Sequence, residues 1–168
     1  MNFIFLFPNL DLFILFLFII AIILHLIFVK KSSLFINALS VYVAVALVII
    51  VPLFSATVAG WLNFSIYIRV IAFLLLCFLV FWLLSHSNLG EFSKNVSPTQ
   101  FGTSLAWRIA IVGLFFTTIL YFLPSGIIQF GPIVKTLFVN FLALIVWFLI
   151  PLLLAFAYRF KTRRGWVE

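Results

Sequence analysis

The sequence predicts an all-α fold: a polytopic integral membrane bundle of about five transmembrane helices, with the N-terminus outside the cytoplasm and the C-terminus inside. Three observations predict it. The first is composition. Of 168 residues, 67% are hydrophobic and 8% are charged, where a soluble domain averages about 45–50% apolar and about 25% charged. With a mean hydropathy of +1.42, a soluble fold would leave most of its apolar surface in water, at a cost of roughly 25 cal/mol per Å². The second is spacing: the apolar residues fall into runs near the ~20 residues that a helix needs to cross a bilayer core. The third is the placement of the basic residues, taken up after the elements.

Helix one is expected over 10–29. Pro8 and Asn9 precede it, and Asp11 falls in its first turn, where the helix dipole favours an anion. Lys30, Lys31, Ser32 and Ser33 close it and turn the chain directly into helix two, over 34–59. Pro52 lies inside that helix and should kink it. Trp61 follows at its exit, where an indole anchors in the headgroup region. Helix three is expected over 65–85, with Arg69 one turn in and Trp82 near its far end.

Ser, Asn, Gly, Pro, Thr and Gln dominate 86–105, which reads as a cytoplasmic loop. Phe92, Val96 and Phe101 could let part of it lie at the interface. Helix four is expected over 106–122 and ends before Pro124, Ser125 and Gly126. Helix five is expected over 132–158, opened by Pro132 as a first-turn residue, and 159–168 forms a basic cytoplasmic tail. The whole of 1–168 is one transmembrane domain. The first ten residues carry no Lys or Arg and no small-residue cleavage site follows, so the first apolar run is expected to remain as an anchor.

The ten Lys and Arg residues set the orientation. In a five-helix arrangement Lys30, Lys31, Lys94, Arg108, Arg159, Lys161, Arg163 and Arg164 all fall on one side. Arg69 and Lys135 fall on the other. Basic residues accumulate on the cytoplasmic side of membrane helices. A net charge of +7 distributed this way reports orientation rather than a nucleic-acid partner. The single cysteine, Cys77, lies in an apolar run and forms no disulfide within the chain.

Ionisable groups inside apolar spans are rare and merit individual attention. Asp11, Arg69 and Lys135 share a depth at the outer ends of helices one, three and five, an arrangement that suggests an ion cluster. Snorkelling to the headgroups, structural pairing and a functional gate are the alternatives for it. His25 sits near the inner interface, about 21 Å along the helix from Asp11 at 1.5 Å per residue, too far for a dyad. His86 reads as a loop or helix-end residue. Two histidines, one cysteine and three acids, widely separated, offer no metal-ligand spacing. No nucleophile elbow or phosphate-binding glycine loop is present. No cofactor, no metal and no catalytic residue is therefore expected, and the protein is expected not to be an enzyme.

Small and weakly polar residues mark expected helix contacts, because in lipid they let backbones approach closely. Asn37, Ser40 and Ala44 form such a stripe on helix two. Ala110, Gly113, Thr117 and Tyr121 form one on helix four, with Phe115, Phe116 and Ile119 turned to lipid. Thr136, Asn140, Ala143 and Trp147 form one on helix five. Ala110, Gly113, Thr117 and Asn140 are the central packing candidates.

Four segments carry a family resemblance: the acid that opens the first span in Asn9-Leu10-Asp11-Leu12-Phe13, Lys30-Lys31 after it, the helix start Ser33-Leu34-Phe35-Ile36-Asn37-Ala38-Leu39-Ser40, and Arg108-Ile109-Ala110-Ile111-Val112-Gly113 in a later span. In this organisation the chain resembles the colicin V production protein family of small bacterial inner-membrane proteins. The resemblance implies an integral protein of the bacterial cytoplasmic (inner) membrane, an accessory or assembly component with a role in toxin export or envelope maintenance. A small oligomeric transporter or channel is the alternative expectation. The expected partners are the lipid bilayer and other membrane proteins or a second copy of the chain.

Overall fold

The computed structural model describes residues 10–55, 57–60, 66–95, 101–123 and 130–157. They form helices and turns, with no strand among the described residues. The order is α1 (Leu10–Phe28), a 3-10 turn (Lys31–Ser33), α2 (Leu34–Phe54), α3 (Ile66–Ser85), α4 (Asn88–Asn95) and α5 (Phe101–Phe122). The last element is broken into α6 (Pro132–Val134), a π-helical turn (Lys135–Val139) and α7 (Phe141–Ala157). Four helices are long and apolar enough to cross a membrane. A fifth crossing is reached if Pro132–Val139 and Phe141–Ala155, bent by 46° at the break, are one span.

α5 is the centre of the bundle. Eleven of its twenty-two residues are buried, while α1 buries only Asp11 and Ile14. It packs against α1, α2, α3 and the broken last element, while α2 lies along α3. Two apolar cores result. One joins Leu34, Val41, Ala44 and Val48 of α2 to Phe73 of α3 and Trp107, Ile111 and Leu114 of α5. The other joins Ile14 of α1 to Leu120 of α5 and to Phe130, Val134 and Phe138 at the start of the last element.

The expected loop 86–105 differs from the structure. α4 occupies Asn88–Asn95, and α5 begins at Phe101, five residues before the expected start at 106. Ser87 explains the first difference: its Oγ accepts the Leu89 amide at 3.2 Å, a side-chain cap that opens a helix in a polar segment. Ser93 on α4 donates to the carbonyl of Ser32, and Phe92 meets the Phe35 ring edge-to-face at 6.0 Å. α4 therefore lies against the turn between α1 and α2. Helix two, expected over 34–59, ends at Phe54 shortly after Pro52, and 57–60 forms a separate helical turn. Trp61, the Pro124–Gly126 turn and the basic tail 159–168 lie outside the described residues.

Candidate functional site

Two charged side chains are buried among the described residues, Asp11 and Arg108. Each closes a helix end belonging to another element. A helix leaves its first N–H groups and last C=O groups without intrahelical partners, and its dipole makes the N-terminus positive and the C-terminus negative. Asp11 Oδ1 accepts the Gly131 amide at 2.8 Å. Its Oδ2 accepts the amides of Ile133 at 3.0 Å and Val134 at 3.4 Å. The carboxylate thus caps the start of the last element from α1. Pro132 contributes no N–H there, which is why the donors skip it. Gly131 is required by the approach: a Cβ at that position would overlap the carboxylate.

At the opposite end the signs reverse. Arg108 of α5 donates from Nη1 to the His25 carbonyl and from Nη2 to the Val29 carbonyl at 2.9 Å. Its guanidinium covers the C-terminal carbonyls of α1, where a cation suits the dipole. Nη1 also lies 3.5 Å from His25 Nδ1, and Asn37 Nδ2 lies 2.8 Å from His25 Nε2. One chain of polar groups therefore runs Arg108, His25, Asn37 and ties α5, α1 and α2 together. Sequence reasoning used Arg108 as an orientation charge and as part of a family resemblance, and placed His25 at the inner interface without naming a partner for either. Its signal was present: Arg108 is a cation inside an apolar run that resumes on both sides of it.

Of the expected cluster of Asp11 with Arg69 and Lys135, the carboxylate of Asp11 accepts backbone amides, Lys135 is exposed one residue beyond them, and Arg69 is half-buried on α3. The start of the last element presents its positive dipole end to the Asp11 carboxylate.

The packing stripes divide. Ala110, Gly113 and Thr117 are buried, and the Trp147 indole lies so close over Gly113 that a Cβ there would overlap the ring atoms. Trp147 is fixed from two more directions. Its ring stacks on Phe138 at 5.9 Å, and its Nε1 donates to the Leu137 carbonyl at 2.7 Å. Ser40 and Ala44 are buried and Asn37 is half-buried, as a contact stripe on α2 requires. Tyr121 is 57% exposed, so the stripe on α5 stops short of it. Phe115, Phe116 and Ile119, expected against lipid, are half-buried in the two cores, because α5 is surrounded rather than two-sided.

On the last element Ala143 and Trp147 face inward, while Thr136 and Asn140 are exposed. The break accounts for this. The Asn140 amide bonds the Lys135 carbonyl at 2.8 Å, five residues back, and Asn140 itself is extended. A wide turn and an extended residue shift the phase of the helix, so a spacing of four no longer keeps one face. Thr117 Oγ1 is buried with no partner, whereas Thr118 beside it bonds the Leu114 carbonyl at 2.8 Å.

A cleft of about 490 Å³ has α1 and α3 as walls and α2 and α5 as floor. Leu24 and Phe28 line one wall and Leu74, Cys77 and Phe78 the other, with Ile111 and Phe115 beneath. Its polar lining is gathered where His25, Asn37 and Ser40 meet. Among the described residues no three of His, Cys, Asp and Glu converge on a common point that could hold a metal. Compared with protein-family models, with curated proteins and with solved structures, the chain finds no match.

Proposed function

We propose that the protein is a non-enzymatic multipass membrane protein serving as an accessory or assembly component in a bacterial inner membrane, in the manner implied by its resemblance to colicin V production proteins. One observation carries this reading. The two charged side chains buried among the described residues, Asp11 and Arg108, are both consumed in closing helix ends. Catalysis or proton relay within a membrane needs an ionisable group left over for substrate, and these two already have structural partners. The experiment is site-specific photocrosslinking in the native membrane from exposed positions such as Leu142, Leu149 and Leu153. A discrete adduct with a second membrane protein is expected. Adducts with lipid alone would overturn the reading.

The alternative, a small oligomeric transporter or channel, is favoured by a different observation, the broken last element. Interrupted helices line substrate sites in many transporters, and here the interruption leaves Asn140 exposed beside a 46° bend. Solute or ion flux into proteoliposomes that is abolished by Asn140→Leu would establish the alternative. Flux no greater than in empty vesicles would count against it.

A further inference from the structure

We infer that the cleft between α1 and α3 is a binding site for one acyl chain of an anionic phospholipid, whose headgroup is held by Lys30 and Lys31. The cleft has the size of a ligand site, since such sites span about 300–1,000 Å³ and combine apolar walls with a few placed polar groups. At about 490 Å³ and with a nearly all-apolar lining, it is suited to hydrocarbon. It is not sealed: α1 and α3 make scarcely any contact, and Phe28 and Phe78 at its rims are 76% and 71% exposed. An occupant can enter sideways from the surrounding lipid.

The cleft also has a direction. Along α1 its lining runs from Ala21 to Val29, about 12 Å at 1.5 Å per residue. Ala21, Leu74 and Phe116 belong to its apolar end. His25 and Asn37 mark the other end, next to the α1–α2 turn. Lys30 and Lys31 lie immediately beyond Val29, both exposed, and the Arg108 guanidinium sits behind His25. Two exposed lysines thus follow the polar end of the cleft directly in the chain, with the buried Arg108 behind it, while Glu91 is an exposed acid on the neighbouring α4. The positive balance selects a negative headgroup. The bilayer supplies an amphiphile with that charge at one end and a chain at the other.

The test uses the full-length protein in vesicles of phosphatidylcholine doped with a phosphatidylglycerol that carries a diazirine in one acyl chain. After illumination the adducts are mapped by mass spectrometry. Adducts concentrated on Leu74–Phe81 and on Ala21–Phe28 are expected. Unlabelled phosphatidylglycerol should displace them better than phosphatidylcholine, by about fivefold for each lysine engaged, the ratio that corresponds to about 1 kcal/mol per basic residue at an anionic surface. Lys30→Gln with Lys31→Gln should erase that preference while leaving the adduct positions unchanged. Cys77→Phe should fill the cleft and remove the adducts there without removing those on the outer face of α1 at Leu12 and Phe16. Equal displacement by the two lipids overturns the headgroup assignment. Adducts spread evenly over the exposed helix faces overturn the site altogether. The lysine pair lies on the surface, so the headgroup arm stands even where Cys77→Phe fails to fold.

Discussion

Asp11 and Gly131 are one device built from residues 120 positions apart. In lipid an unsatisfied backbone amide has no water to turn to and costs several kcal/mol, so the start of the last element needs an acceptor. The carboxylate of Asp11 serves three amides at once. Asp11→Ala should lower stability by about 2 kcal/mol or more, in the range for stranding buried donors. Gly131→Ala should cost a similar amount, because its methyl would displace the same carboxylate. Since both changes break one contact, the double variant should lose clearly less than the sum. The readout is thermal unfolding in detergent, followed with a thiol-reactive dye at Cys77, the single cysteine. Additive losses would separate the two residues. Of this device only the anion could be read in advance: an acid in the first turn of an apolar run stands out. Its partners are main-chain amides, which every residue except proline carries, so no letter in the sequence announces them. Arg108 stands out in the same way as a cation in an apolar span, and its partners were hidden for the same reason, being carbonyls at the end of α1.

At the scale of elements the decisive contact is between α5 and α7. Gly113 has no side chain, the Trp147 ring occupies the space above it, and the indole N–H donates to the Leu137 carbonyl in the π-helical turn. One residue thus packs α7 on α5 and ties it to the turn before it. Gly113→Leu should push Trp147 off both partners and sharply reduce the folded protein recovered from the membrane; overpacked cores lose about 1–3 kcal/mol. Tyr121→Leu, at the exposed end of the same stripe, should leave recovery unchanged, and Gly113→Ala should fall between them. Size-exclusion profiles of fluorescent fusions measure all three. Equal recovery of Gly113→Leu and Tyr121→Leu would refute the contact. The inward face of α5 was legible because small residues at helical spacing have a mechanical meaning in lipid. The face of the last element was misread at Thr136 and Asn140, since the spacing argument assumes an unbroken helix. No proline or glycine marks the break, which falls between Lys135 and Phe141 in an apolar run.

For the whole molecule the number of crossings and the charge asymmetry decide each other. Counting the broken element as a crossing places eight basic residues on the side of the α1–α2 turn and two opposite. If it turned back instead, the four cations of the tail would change sides and the division would become four against six, with the bias reversed. The geometry favours a crossing. A re-entrant segment must reverse direction, whereas Pro132–Val139 and Phe141–Ala155 differ by 46°. At 1.5 Å per residue the second piece, laid along the membrane normal, covers about 22 Å and the first adds about 8 Å, together close to the ~30 Å of a hydrocarbon core. The expected result is that the α1–α2 turn and the C-terminus share the cytoplasmic side. Paired fusions measure this: green fluorescent protein at the C-terminus should fluoresce, and alkaline phosphatase there should be inactive. A cysteine placed at Ser32 in a Cys77→Ala background should resist a membrane-impermeant maleimide until the cells are opened. An active phosphatase at the C-terminus combined with a protected Ser32 position would mean that the last element returns to the face from which it entered. A 46° bend does not produce that return, so this outcome would refute the crossing.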